Sequence, residues 1–283
     1  MATRIWISTD GDMNAVGSWS GGAVPVSADI VVFDPKASRV APTSNMDFST
    51  NGGAAANFGE LLIMPGWSLN IGNPANPLKA ECSVLRHYGN CELHYQSKNA
   101  GIELDTRDVY IDSAYNKSEC ASFSSAGSSI FLRATIAGGS VKFDGTATPY
   151  TVNVGLPDRA GYGKHPKMDL GYSSTLTPVL ITQYSGEVVS SCGLLATGSQ
   201  FVIFGGRWTQ EQNGFDTLFL HGGDVVYNSS DASTRIIQMG GSFDTTQSSR
   251  SRTFTGYSQF GGEFIRSSQT TVTTYKDLRI TRS

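Results

Sequence analysis

Charge is scarce in this chain. Only 16 % of its 283 residues are Asp, Glu, Lys or Arg, and 21 basic against 24 acidic side chains leave a net charge of −3. A balance so close to neutral offers no basic field to draw in nucleic acid. Apolar runs are short, none approaching the ~20 residues that a helix needs to cross a bilayer. The opening MATRIWISTDGD lacks the apolar core of a secretory signal. The four cysteines, Cys82, Cys91, Cys120 and Cys192, form no C-x-x-C, so reduced thiols in a cytoplasmically made protein are expected. Also missing are a glycine loop between a strand and a helix, a G-x-S-x-G elbow and an H-E-x-x-H helix. No cofactor is expected.

Glycine, by contrast, occurs 32 times, and much of it is periodic. The stretches ITQYSGEVVSS, FVIFGGRWTQ, LFLHGGDVVYNSS, IIQMGGSFDTT and YSQFGGEFIRSS each place a glycine corner between two short apolar runs. Their anchor glycines are Gly186, Gly206, Gly223, Gly241 and Gly262, at spacings of 20, 17, 18 and 21 residues. Two residues after each anchor comes an apolar side chain: Val188, Trp208, Val225, Phe243 and Phe264. Immediately after it comes a polar one: Glu187, Arg207, Asp224, Ser242 and Glu263. Neighbouring positions on a strand point to opposite faces, so the first column is expected to face inward and the second outward.

A unit this short cannot bury its apolar stripe alone and must stack on its neighbours. At ~3.3 Å per residue, a coil of about 19 residues has a perimeter of roughly 60 Å, suited to a three-sided coil of strands. The expected fold is therefore all-β: a single-chain right-handed parallel β-helix. A β-sandwich also has short, evenly spaced strands, but it gives no reason for five successive units to keep the same column chemistry. Fainter coils are expected at Gly139, with Val141 inward, and at Gly89, with Cys91 inward; the coil at Gly66 puts Trp67 out of pattern. Residues 144–178, rich in Pro, Gly and Tyr, break the rhythm and are expected to leave the coil as an interaction arm. Tyr150, Arg159, Tyr162 and Tyr172 in that arm are the expected partner contacts, being residue types that interfaces favour.

The first 34 residues carry a different signature: Trp6, then Gly17-Ser18-Trp19-Ser20-Gly21-Gly22, Pro25, Asp29 and Val31-Val32-Phe33. This order resembles the W…W-S-G-G…P…D-V-V-F start of β-helical autotransporter passengers and of phage virion β-helix proteins. The resemblance implies a β-helix whose end is closed by a Trp-containing cap, with Trp6 and Trp19 in structural roles. The organisation read from the sequence is a cap over 1–58 and a β-helix over 59–283. Without a signal sequence or a membrane barrel, the virion branch of the resemblance is the expected one.

Two clusters invite chemistry. Cys82, His87, Cys91 and His94 lie within thirteen residues, but their odd spacings turn the members of each pair to opposite faces of a regular strand, which argues against zinc. His87 stands two residues before Gly89. Tyr184, Phe204, His221, Met239 and Phe260 stand likewise before their anchors, and a role in packing the repeat is expected for that column. Asp108 and Asp112 flank Tyr110 on one face of a strand, with Glu103 and Asp105 close by. Paired outward carboxylates are how many polysaccharide-cleaving β-helix enzymes work.

The function expected from these readings is a capsid decoration, or cement, protein. It binds the major capsid protein on the virion surface as a homotrimer matched to a capsid three-fold axis, after synthesis in the host cytoplasm. A tailspike would need an N-terminal adaptor, whereas here the cap begins at residue 4. The alternatives are a tailspike-like glycan-cleaving enzyme using Asp108 and Asp112, and a carbohydrate- or receptor-binding module stacking ligands on Tyr, Trp67 or Arg side chains.

Overall fold

The structure, a computed structural model, describes residues 1–48, 57–97, 108–115, 119–125, 133–143, 151–157, 165–171, 175–176, 180–191, 194–195 and 198–279. The chain forms two compact units, Met1–Pro149 and Tyr150–Ser283. Both are parallel β-solenoids. The described residues contain one three-residue 3-10 turn, Val16–Ser18, and otherwise strands. No described helix is long and apolar enough to cross a membrane.

In the second unit one sheet stacks Thr151–Val154, Leu180–Gln183, Gln200–Ile203, Thr217–Leu220, Ser233–Gln238, Arg252–Gln259 and Thr270–Asp277, all parallel. A second sheet stacks Lys167–Leu170, Glu187–Ser190, Arg207–Gln210, Asp224–Tyr227, Ser242–Asp244 and Glu263–Ile265. The register puts Glu187, Arg207, Asp224, Ser242 and Glu263 in one row and Val188, Trp208, Val225, Phe243 and Phe264 in the next. Both rows face as the sequence predicts. The first four of the apolar row are fully buried, and Phe264, on the last rung, is half-buried. All five anchor glycines have positive φ, between 68° and 85°, the conformation their corner demands. Inside, aromatic rings interlock from rung to rung. Phe201 meets Trp208 at 5.4 Å and Phe215 at 5.2 Å, and Tyr257 stacks on Phe264 at 4.3 Å.

Within the segment 144–178, the described strands Thr151–Val154 and Lys167–Leu170 belong to the solenoid. Thr151–Val154 pairs with Leu180–Gln183 and Lys167–Leu170 with Glu187–Ser190, so the segment supplies one rung to each sheet. The rung escapes a search for glycine corners because Pro166 stands at its corner. The Pro166 carbonyl accepts from Glu187 N, just as the Gly186 carbonyl accepts from Arg207 N. Tyr150, Arg159, Tyr162 and Tyr172 lie outside the described residues.

In the first unit the parallel sheet begins within the expected cap. Thr3–Ile5 pairs with Ile30–Phe33, which pairs with Asn57–Ile63. Then follow Glu81–His87, Asp108–Asp112 and Arg133–Gly138. The opposite sheet holds Leu78–Lys79, Leu93–Ser97, Ala121–Ser125 and Ser140–Phe143. Trp6 and Trp19 form an isolated antiparallel bridge with their rings edge-on at 5.0 Å, and Phe33 and Trp67 extend the cluster. Each indole N–H finds a carbonyl: Trp6 on Val40 at 2.8 Å, Trp19 on Met13 at 2.9 Å and Trp67 on Leu69 at 2.6 Å. Buried Asp29 ties the start of the chain down by accepting from the Ala2 and Val26 amides and from Arg4. Burial alone would raise its carboxyl, but these three donors outweigh it and hold it below the usual range. Trp67 is buried in this cluster and presents no ring to a ligand.

Candidate binding surface

At each glycine corner of the second unit the chain turns over three residues, and the alternation of a strand stops there. The residue before the turn points in and the first residue of the turn points out. Phe204 is thus 47 % exposed while Trp208, an even number of residues later, is fully buried. The column two before each anchor therefore does pack the repeat, but on the outside. Tyr184, Phe204, His221, Met239 and Phe260 follow one another up the corner, and Leu278 joins them. The amide of each donates to the rung below at 2.7–2.8 Å. Tyr184 and Phe204 stack at 5.4 Å and 4° between ring planes, and Phe204 and His221 at 4.7 Å and 16°. Phe204, Met239, Phe260 and Leu278 are each 46–50 % exposed.

Three of the five corners are braced by a buried amide that sequence reading missed. Gln183 Nε2 donates to the Gly186 and Arg207 carbonyls at 3.0 Å each, and Gln238 Nε2 to those of Gly241 and Glu263 at 3.1 and 2.9 Å. Gln259 Nε2 donates to the Gly262 carbonyl at 3.0 Å. These corner carbonyls accept from a glutamine that points inward, so they are satisfied within the fold. The recurrence of Gln three residues before Gly186, Gly241 and Gly262 was the available signal.

Beside the ladder on the same sheet, Val202, Phe219 and Ile237 share one register and face outward, half-exposed. On the other side of the corner runs the charged row, preceded by Lys167 in the same register. The result is an apolar corner with a polar margin. Where Tyr184, Phe204 and His221 stack, the rings cover one another's faces and show solvent their edges. Glycan recognition uses open ring faces; edges beside β-branched side chains suit packing against a protein surface.

No family model, curated protein or solved structure matches this chain. What the surface does must be read from its own chemistry. One consequence concerns Met239. Half-exposed on the ladder, it is expected to form sulfoxide well before Met13, Met46 and Met168, which are buried. Peptide mapping after mild peroxide treatment reads the order directly.

The other predicted sites fare differently. Asp108, Tyr110 and Asp112 do share the outward face of their strand. However, Arg133 on the next rung pairs with the Asp108 carboxylate at 3.4 Å, and both side chains are about half exposed or more. The register slips between Ile111 and Asp112. Four residues of extended chain separate the two carboxylates by roughly 13 Å, beyond the ~5–9.5 Å of glycosidase pairs. Glu103 and Asp105 lie outside the described residues.

Around Cys82 the parity expectation fails, since Cys82 and His87 are both buried although an odd number of residues apart. The strand's alternation lapses at Ser83 and Val84. Each group nevertheless has separate work. Cys82 Sγ meets the Tyr95 hydroxyl at 3.6 Å, and His94 Nδ1 lies 2.8 Å from Ser122 Oγ. His87 does not belong to the exposed ladder; its register partners are the buried Ile63 and Ile111. Its Nδ1 accepts from Gly89 N, so Nε2 carries the proton and donates to the Cys91 and Cys120 carbonyls at 3.1 and 3.0 Å. No group of three or more metal-ligating side chains occurs among the described residues. Burial pushes the Cys91 and Cys120 thiols up to about 12.

Burial also lowers His87 to about 4, against hydrogen bonds to the two carbonyls that favour its charged form. The unfolded chain takes up this proton near pH 6.5 and the folded chain only near 4, so acid favours unfolding. The stabilisation is complete above pH 6.5 and falls away by roughly 3 kcal/mol as the pH drops to 4. Urea midpoints between pH 7 and 4 are expected to decline less steeply in His87→Gln than in the unsubstituted protein.

Proposed function

We propose that this chain is a non-catalytic structural protein that works through protein–protein contact, as a decoration protein bound to the major capsid protein of a virion. The observation that carries the contact reading is the continuous, half-exposed apolar ladder of the second unit, a face of a kind that singly scattered surface residues do not make. A solenoid suits the role because each rung is locked by its neighbours and the outward face keeps a fixed pitch. The virion assignment rests on the resemblance of the first 34 residues and on the tryptophan-closed cap that those residues build.

The test is copy number, measured by quantitative mass spectrometry on particles purified from the native source. Hundreds of copies in fixed ratio to the shell protein are expected. A handful would move the protein to the tail, and absence would end the virion reading. The competing glycan-cleaving reading has only the exposed Asp108–Asp112 face behind it. Substituting both aspartates by asparagine is expected to change no activity toward host polysaccharide.

A further inference from the structure

The apolar face has a margin whose charges are ordered, and the order bears on what covers it. In register along the second sheet run Lys167, Glu187, Arg207, Asp224, Ser242 and Glu263. Read in that direction the signs are plus, minus, plus, minus, neutral, minus. Read backwards against itself, the row pairs Lys167 with Glu263, Glu187 with Ser242, and Arg207 with Asp224, and then the same pairs again. No like charges meet. Shifting the reversed row by one rung sets Glu187 against Asp224 in one direction and Glu187 against Glu263 in the other. A shift of two rungs again meets no like charges but overlaps only four rungs, so the unshifted register is the complementary one that keeps all six rungs in contact.

We infer that this face binds a second copy of the chain, with the two coil stacks antiparallel and a two-fold axis passing between the Arg207 and Asp224 rungs. The inference rests on the reading of the ladder as a protein-contact surface and names the partner. Symmetry selects the arrangement. A two-fold axis lying in the contact plane, perpendicular to the stack, brings each column onto its own copy, aromatic on aromatic and charged on charged. An axis along the stack would exchange the two flanks and lay the charged row of one copy on an apolar column of the other. A three-fold assembly has heterologous contacts, in which no column meets itself. It therefore leaves the self-complementary order unused.

In the two-fold register Phe204 faces the second copy's His221, and Tyr184 faces its Met239, a thioether against a ring. The margin is prepared for this. Arg207 and Glu263 form no ion pair with the described residues of their own chain, whereas Lys167 already lies 3.5 Å from Glu187 and Ser242 Oγ donates to Asp224 at 2.6 Å. Six rungs at ~4.8 Å and three columns cover on the order of 400 Å² per partner, about half of a standard interface. Self-association is therefore reversible and depends on concentration.

Sedimentation velocity on the full chain over a wide concentration range tests this. The unsubstituted protein is expected to pass from monomer to dimer. Arg207→Glu sets acid against Asp224 of the other copy, and Asp224→Arg sets base against its Arg207, so each variant alone should dimerise at least about tenfold more weakly. Mixed one to one, the two variants restore both ion pairs and should form a heterodimer close to the original affinity. Both substitutions are on exposed positions, and unchanged far-ultraviolet circular dichroism and melting confirm that the fold is intact. A monomer at every concentration, a trimer, or a mixture no better than its components each overturns the inference. Dimerisation of the isolated chain and copy number on particles are read separately, so either can fail without the other.

Discussion

Gly241→Ala is expected to destabilise the second unit by about 3–5 kcal/mol. A Cβ at this position would sit 2.2 Å from the Gly223 carbonyl oxygen and 2.9 Å from the carbonyl carbon of Gly222. Both belong to the backbone of the rung below, which is hydrogen-bonded above and below and has no rotamer through which to yield. The residue also has φ 68°, which an alanine holds only at a cost. Opening the rung to make room would stretch the bond from Ser242 N to the Gly223 carbonyl, now 2.9 Å. Two comparisons separate the contributions. Gly22→Ala carries positive φ with open space around it and should cost only about 1 kcal/mol. Gly17→Ala, with neither constraint, should stay within about 0.5 kcal/mol. Urea denaturation gives all three, and a loss below about 1 kcal/mol for Gly241→Ala would show that the corner tolerates a side chain.

The second large effect distinguishes two aromatic residues that sequence parity places on one face. Trp208→Ala removes a fully buried indole packed against Phe201 and Phe215, and it strips Gln210 Oε1 of the 2.9 Å bond from the indole N–H. A cavity of that size and an orphaned buried acceptor are expected to cost about 3–5 kcal/mol. Phe204→Ala, four residues earlier and half outside, should cost about 1 kcal/mol or less, chiefly from the lost stacks on Tyr184 and His221. Equal losses at the two sites would contradict the corner geometry.

Those two residues also show what the sequence made legible. Positions after each anchor were readable because a strand begins at once and alternation applies, so the inward row through Trp208 and the outward row through Arg207 stand where periodicity puts them. Positions before the anchor were not, because three turn residues intervene and one of them takes positive φ. The exposed ladder was therefore visible as a column and invisible as a surface. The rung at Pro166 was hidden for a related reason: it builds the same corner without the residue that advertises it. Asp108 and Asp112 were correctly placed on one face. Whether they cooperate is a matter of distance along an extended strand and of a partner, Arg133, supplied by the next rung, and neither shows in local spacing. The inward glutamines are in the sequence three residues before their anchors, but the carbonyls they serve exist only once the chain has turned.

The two kinds of connection in the second unit also differ in what they tolerate. From Leu180–Gln183 onward, every glycine corner has three residues between its strands, as at 184–186 and 239–241. The return connections hold six residues at 211–216, five at 228–232, seven at 245–251 and four at 266–269. Over these rungs the variation in coil length is confined to one side of the solenoid, while the other side keeps strict time. Foreign peptides spliced at the exposed positions 230–232 and 246–247 would be carried as parallel loops, while Phe215, Ser229 and Thr245, buried in the same connections, keep the core and the corner ladder in place. The unit divides into a ruler of constant corner length and a row of connections whose exposed tips vary, which makes it a scaffold for displaying short epitopes in fixed order.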